Sequence, residues 1–218
     1  MLMFEKKSIL KWLLGFNFIL VIAYLISNHI FIIPSYTVRH WFDLDAEANI
    51  PTWFSSLQLF SLFVLSIIYS TQIKNKHLQN FYFLMGLIFL FFSADETSMI
   101  HEGITSIFNK LSIHSFFPDA HGMWVLIYPI AIIILTFITW KGLLAFWNEK
   151  KGKIIFFTGA FVFVTGGVGF EVFGYFIGAK SIVTIIEVTA EESFELLGQS
   201  LMIYALLSKL ESQRTDTC

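Results

Sequence analysis

Charge is scarce in this sequence: 14% of its 218 residues are Asp, Glu, Lys or Arg, against about 25% in soluble domains. With 56% hydrophobic residues, 18% aromatic ones and a mean hydropathy of +0.71, that scarcity excludes a water-soluble globular domain. Cysteine is nearly absent. The one cysteine, Cys218, stands at the last position, which excludes an intramolecular disulfide, a Cys-ligated zinc site and a protein-ligated iron–sulfur cluster. Any bound metal would need nitrogen and oxygen ligands. Basic clusters are missing beyond Lys150, Lys151 and Lys153, and with a net charge of −2 the chain has no electrostatic footprint for nucleic acid.

What the sequence has in abundance is apolar runs. A bilayer core of roughly 30 Å needs about 20 mostly apolar helical residues, and six such runs occur, at about 9–33, 51–73, 80–106, 121–147, 154–177 and 182–208. They predict an all-α, polytopic membrane bundle of about six transmembrane helices in a single domain, with no room for a separate soluble one. The first run follows Lys6, Lys7 and Lys11 and is too long for a signal-peptide core, so it is expected to be retained. Pro34 and Pro51 bracket the first outer loop, while Lys74-Asn75-Lys76-His77 and Asn148-Glu149-Lys150-Lys151 mark two short turns. With the N-terminus inside, eleven of the fourteen basic residues fall on one side, leaving Arg39, Lys110 and Lys180 outside. The positive-inside rule then predicts both termini cytoplasmic, in a bacterial inner membrane.

Acids do the reverse, and twelve of the sixteen map to the outer loops or the outer halves of helices, together with five of the six histidines. Loop acids such as Asp43, Asp45 and Asp119 read as solvated surface. Acids inside apolar helices need another account, because a charge at mid-membrane costs about 2.5–3.5 kcal/mol on insertion scales and generally turns inward to a function. On the third run, Asp95 and Glu102 lie within ~20° of each other on a continuous helix, with Glu96, Ser98 and His101 near them. On the sixth, Glu187, Glu191, Glu195 and Gln199 recur every fourth residue, with Glu192 at the edge of the stripe. Glu171 stands on the fifth run among Gly166, Gly167, Gly169, Gly174 and Gly178, which permit close helix packing. His121 begins the fourth at about the same depth.

Too few outer basic residues exist to neutralise these acids, so some must be protonated, hydrated or bound to a cation. Carboxylates with nearby imidazoles suit zinc, iron or manganese; carboxylates alone suit calcium or exchangeable protons. Asp95-Glu96-x4-His101-Glu102 has neither the Glu-x-x-His spacing of helical di-iron bundles nor the His-Glu-x-x-His of zinc proteases. A metal reading therefore rests on convergence of Asp95, Glu96, His101, Glu102, His121, Glu171, Glu187, Glu191, Glu192 and Glu195.

Three stretches together, Glu47-Ala48-Asn49-Ile50-Pro51-Thr52-Trp53, Asp95-Glu96 with His101-Glu102, and Glu191-Glu192-x-x-Glu195, resemble a group of uncharacterised bacterial multi-pass membrane proteins. That resemblance implies a membrane helix bundle and brings no activity with it. A more distant similarity is to the alkaline ceramidase-like membrane hydrolases, whose zinc site uses three histidines with a serine and an aspartate; this chain lacks the paired His-x-x-x-His and has glutamates in excess. The leading expectation is a membrane metalloprotein, a metal-dependent hydrolase or oxidoreductase acting on a lipid-like substrate beside membrane lipids. The alternatives are a proton- or cation-coupled transporter using the same glutamates, and a non-catalytic sensor or assembly subunit.

Overall fold

The computed structural model describes residues 5–110, 122–149, 152–177 and 181–215. Ten α-helices follow one another among them: α1 (Lys6–Tyr24), α2 (Tyr36–Trp41), α3 (Ile50–Gln72), α4 (Lys76–Ser98), α5 (Ile100–Lys110), α6 (Met123–Ile138), α7 (Trp140–Trp147), α8 (Lys153–Val164), α9 (Glu171–Ile177) and α10 (Ser181–Thr215). A π-helical stretch, Leu25–Ile30, prolongs α1, and another, Thr165–Phe170, joins α8 to α9. Four helical stretches are long and apolar enough to cross a membrane: Lys6–Ile30, Ile50–Gln72, Lys76–Ser98 and Lys153–Gly174. The pair α6 and α7 makes a fifth if counted as one span. A helix of 23 residues such as α3 is about 34 Å long, which matches the hydrocarbon thickness. The chain is thus all-α and reads as a multi-pass membrane protein.

Two of the sequence's continuous runs are broken. The run at 80–106 ends as a helix at Ser98, where Met99 takes the left-handed conformation with φ 53° and donates its N–H to Asp95 O at 2.8 Å; α5 then starts at Ile100. The run at 121–147 bends by 79° between α6 and α7. Thr139 sits at the bend with φ −101° and ψ 18°, its hydroxyl bonded to Leu135 O at 2.9 Å, a local bond that competes with helix continuation. The last helix outruns its predicted end at 208 and reaches Thr215.

Packing centres on α10, which lies against α1, α3, α8 and the second π stretch, while α3 and α4 form an antiparallel hairpin. Leu59, Leu62, Tyr82, Phe146, Met202 and Leu206 make the fully buried centre of the core. The α8–α10 crossing is set by two glycines: a Cβ on Gly159 would stand 2.8 Å from Gly198 O, and one on Gly198 would stand 2.6 Å from Gly159 O. Backbone cannot give way there, so only Gly allows this approach. Polar side chains bind the layers where no water is available. Ser56 Oγ donates to Ser93 O at 2.8 Å and Ser93 Oγ to Ser56 O at 3.0 Å, pinning α3 to α4. Gln58 Nε2 donates to Asn17 Oδ1 at 3.2 Å, Asn17 Nδ2 to Ser200 Oγ at 3.1 Å, and Ser200 Oγ to Gln58 Oε1 at 2.8 Å. That closed ring joins α1, α3 and α10.

Candidate functional site: an acidic cavity between the helices

A cavity of about 1130 Å³ runs between the α3–α4–α5 side and the α8–α10 side, with α6 as its outer wall. Asp95 and Glu96 line it from α4, His101 and Glu102 from α5. Across from them stand Glu171 at the start of α9 and Glu191, Glu192 and Glu195 on α10. Glu187 does not line it; its carboxylate packs one turn further out, against Gly174. His121 lies outside the described residues. The helical-face expectation for Asp95 and Glu102 needs correcting, because the left-handed break at Met99 puts them on different helices and leaves Glu102 exposed.

Asp95 is held from three directions. Its Oδ1 accepts the His101 backbone N–H at 2.8 Å, so it caps the first turn of α5, and it also meets His101 Nδ1 at 3.3 Å and the Tyr128 hydroxyl at 3.1 Å. One carboxylate oxygen thereby ties α4, α5 and α6 together. Trp124 adds an edge-on contact to His101, with ring centroids 5.5 Å apart. His101 lies beyond the spanning part of α4; burial pulls its pKa down, but the Asp95 hydrogen bond and the charges of Asp95, Glu47 and Glu102 outweigh that and raise it above the ordinary imidazole range.

The residues missed from sequence come mainly from the loop before α3. Asn49 caps α3 by accepting the Thr52 N–H at 3.1 Å, while its amide donates to Asp43 O and Ala46 O, both at 2.6 Å. With Ala48 held at φ 57°, this turn delivers Glu47 to the cavity, where Glu47 Oε2 is buried without a hydrogen-bond partner. Burial raises the Glu47 pKa above the carboxylate norm, the neighbouring His101 and the Thr52 hydroxyl oppose this, and Glu102 and Asp95 add to it. The sequence signal for this turn was the Glu47–Trp53 stretch, which carried the family resemblance and, through Pro51, a loop end, without marking Glu47 as a site residue. Ser55 is a second such residue: it accepts from Gln199 Nε2 at 2.9 Å and stands beside the Glu96 carboxylate. Nothing in the sequence distinguished Tyr128 from the other aromatics.

The glycines of the π stretch admit the α10 acids. A Cβ on Gly166 would meet Glu195 Cγ at 2.8 Å and Glu191 O at 2.9 Å, so a larger residue there would displace the glutamate stripe. Among the described residues, no three of His, Cys, Asp and Glu converge closely enough to hold a metal ion. Away from the acids the wall turns apolar through Phe89, Phe92, Ile132, Phe156 and Phe163.

These elements define a multi-pass helical membrane protein whose helices enclose a cavity that is acidic at one end and apolar along the rest. The chain belongs to the family described as a domain of unknown function (DUF8692), whose model matches residues 13–210. No curated protein and no solved structure matches it.

Proposed function

We propose that the protein is a proton-coupled carrier of a lipid-like substrate in a bacterial inner membrane, with the cavity carboxylates as the coupling groups. The observation that carries this is the division of the cavity: among the described residues nine acids line it, Asp45 and Glu102 at exposed positions, against the basic His101 and Lys110, and most of the remainder is apolar. So many carboxylates in a low-dielectric space cannot all be ionised unless a cation accompanies them, so cargo and protons compete for the same groups. The proposal includes α10 as a sixth crossing and both termini in the cytoplasm, supported by the eleven-to-three distribution of basic residues.

The test is flux into proteoliposomes under an imposed pH gradient, with a panel of labelled single-chain amphiphiles carrying neutral, anionic and cationic heads. Gradient-driven accumulation of a panel member, abolished by a protonophore and by Glu96→Gln with Glu191→Gln, is the expected result. No gradient-dependent movement of any member would overturn the carrier reading.

A second reading, a metal-dependent enzyme acting on a lipid-like substrate, is favoured by one contact: Asp95 bonded to His101 Nδ1 is the arrangement that orients a ligating or basic imidazole. Zinc, iron or manganese would then draw on His101 and the surrounding carboxylates to polarise a substrate oxygen or activate water. Stoichiometric metal in the purified protein, lost together with thermal stability on chelation, would favour it over the carrier.

A further inference from the structure

We propose that the cargo is a lipophilic cation, an ammonium group on a single long apolar chain, which enters from the bilayer between α6 and α8. This rests on the carrier reading above and names the substrate class of the same cavity. Three features of the cavity converge on it.

The first is charge at the head end. Glu47 Oε2 is buried there without a partner, and Glu96, Glu192 and Glu195 line the same end. A phosphate, sulfate or carboxylate head would add to an already negative site, whereas an ammonium offsets it. The second is the aromatic wall beside those acids. Trp124 and Tyr128 stand 5.7 Å apart by ring centroid, and Phe92 is 6.0 Å from Tyr128. Tyr128 also donates to Asp95, so a cation that reached these rings from the acidic end would gain cation–π attraction, which acts within ~6 Å of a ring centroid and strengthens when water is excluded.

The third is the tail space and its mouth. Along α4 the lining residues run from Phe81 to Glu96, and fifteen residues of helix span about 22 Å. That exceeds the ~15 Å of one leaflet of a ~30 Å hydrocarbon core, so a chain of membrane-lipid length fits fully extended. The volume of about 1130 Å³ is just above the ~300–1,000 Å³ range of small-molecule pockets. Ile133 on α6 and Val164 on α8 both line the cavity and yet are 66% and 51% exposed. The cavity therefore reaches the lipid-facing surface between them. The more extensive helix contacts of α6 are with α5 and α7, and Tyr128 joins it to α4 at Asp95 and Phe92; its side toward α8 is the way in for a molecule already dissolved in the bilayer.

The experiment is equilibrium binding of labelled hexadecyltrimethylammonium to the full chain in lipid nanodiscs, with empty nanodiscs subtracted. Hexadecanol, hexadecyl sulfate and hexadecylphosphocholine serve as chain-matched comparators. Saturable binding of one quaternary ammonium per chain is expected, with the alcohol at least tenfold weaker and no saturable binding of the sulfate. Glu96→Gln with Glu192→Gln should weaken the ammonium at least tenfold and leave the alcohol unchanged, a split that a misfolded variant would not give. Ile133→Trp, at an exposed position, should slow association without altering helical content. Equal affinity for all four heads, tighter binding of the sulfate, or equal loss of ammonium and alcohol in the double Gln variant would overturn the proposal. Binding of the ammonium without release of protons into a weakly buffered medium would uphold this substrate class and sink the carrier reading. Gradient-driven flux of hexadecanol equal to that of the ammonium would do the opposite.

Discussion

Glu149→Ala should cost about 3–5 kcal/mol of stability, because it strands a buried ammonium. Lys209 is 3% exposed and its Nζ donates to Glu149 Oε2. The Tyr69 hydroxyl donates to Glu149 Oε1 at 2.8 Å and the Tyr82 hydroxyl to Oε2 at 2.7 Å, so one carboxylate serves three donors from α3, α4 and α10. The rings of Phe146, Tyr82 and Tyr69 lie 4.6, 5.7 and 5.9 Å from the ammonium. Cation–π attraction of about 2 kcal/mol in a desolvated site is too small to replace the lost counter-charge. Converting Lys209→Met as well removes the orphan, leaving the cost of two tyrosine hydroxyls without their acceptor, about 1–3 kcal/mol each at most. The double variant should therefore be no less stable than Glu149→Ala, and the cycle should show a coupling of at least about 2 kcal/mol. Equilibrium unfolding in mixed micelles, followed by tryptophan fluorescence, measures all four corners. A coupling under about 1 kcal/mol would mean that Lys209 finds water on losing Glu149, and the description of a sealed pair would be wrong.

Asn49→Ala removes the α3 cap and the two bonds that close the preceding turn, for an expected loss of about 1–2 kcal/mol, read by the same unfolding assay; a loss below about 0.3 kcal/mol would show that the turn is held by other contacts. Gly159→Ala should destabilise by about 1–3 kcal/mol through overpacking against the Gly198 carbonyl, and an unchanged protein would refute the close crossing. The pKa values of Glu47 and His101 are both raised in the folded state. Each then contributes stability that is present below its unfolded pKa and is lost as pH rises through the folded one. Melting temperature should consequently fall from pH 5.5 to pH 8, with a shallower fall in Glu47→Gln; a rise over that interval would reverse the sign and overturn the electrostatics.

Much of the bundle was legible because membrane burial writes itself as long apolar runs, and the runs at 51–73 and 154–177 lie within a few residues of α3 and of the stretch from α8 to α9. The i, i+4 spacing of Glu187, Glu191 and Glu195 was likewise legible, since helical periodicity survives any tertiary arrangement. Breaks were not. Met99 and Thr139 sit inside apolar stretches, and hydropathy carries no record of a single residue turning left-handed or of a hydroxyl bonding its own helix. Glu47 and Ser55 reach the cavity through a turn and a helix pairing that only the folded chain defines. Lys209 read as one more flanking basic residue on the inner side, yet it is buried, because Glu149 and three rings 60 or more residues away in sequence close over it.

The two polar poles of the molecule, the acids and the Lys209–Glu149 cluster, are joined by α10, and the described residues between them along α3 and α10 are mostly apolar. From Ser200 to Lys209 is nine residues, about 13.5 Å of helix, and Leu62, Ile203 and Leu206 fill the space beside it. Ser66 is the polar side chain of α3 at that depth, and its hydroxyl is buried without a partner. A water needs two to four polar partners to reside in a protein interior, and a lone hydroxyl supplies one. Coupled transport as proposed above would call for helix movement along this side. The reciprocal Ser56–Ser93 bonds hold α3 and α4 as one body, and the Gly159–Gly198 crossing holds α8 and α10 as another. Between them lie Gln199–Ser55 and the Asn17–Gln58–Ser200 ring, amide and hydroxyl contacts that can exchange partners with little loss. The α3–α10 seam is thus joined by exchangeable polar contacts, and it begins at Ser55, beside Glu96.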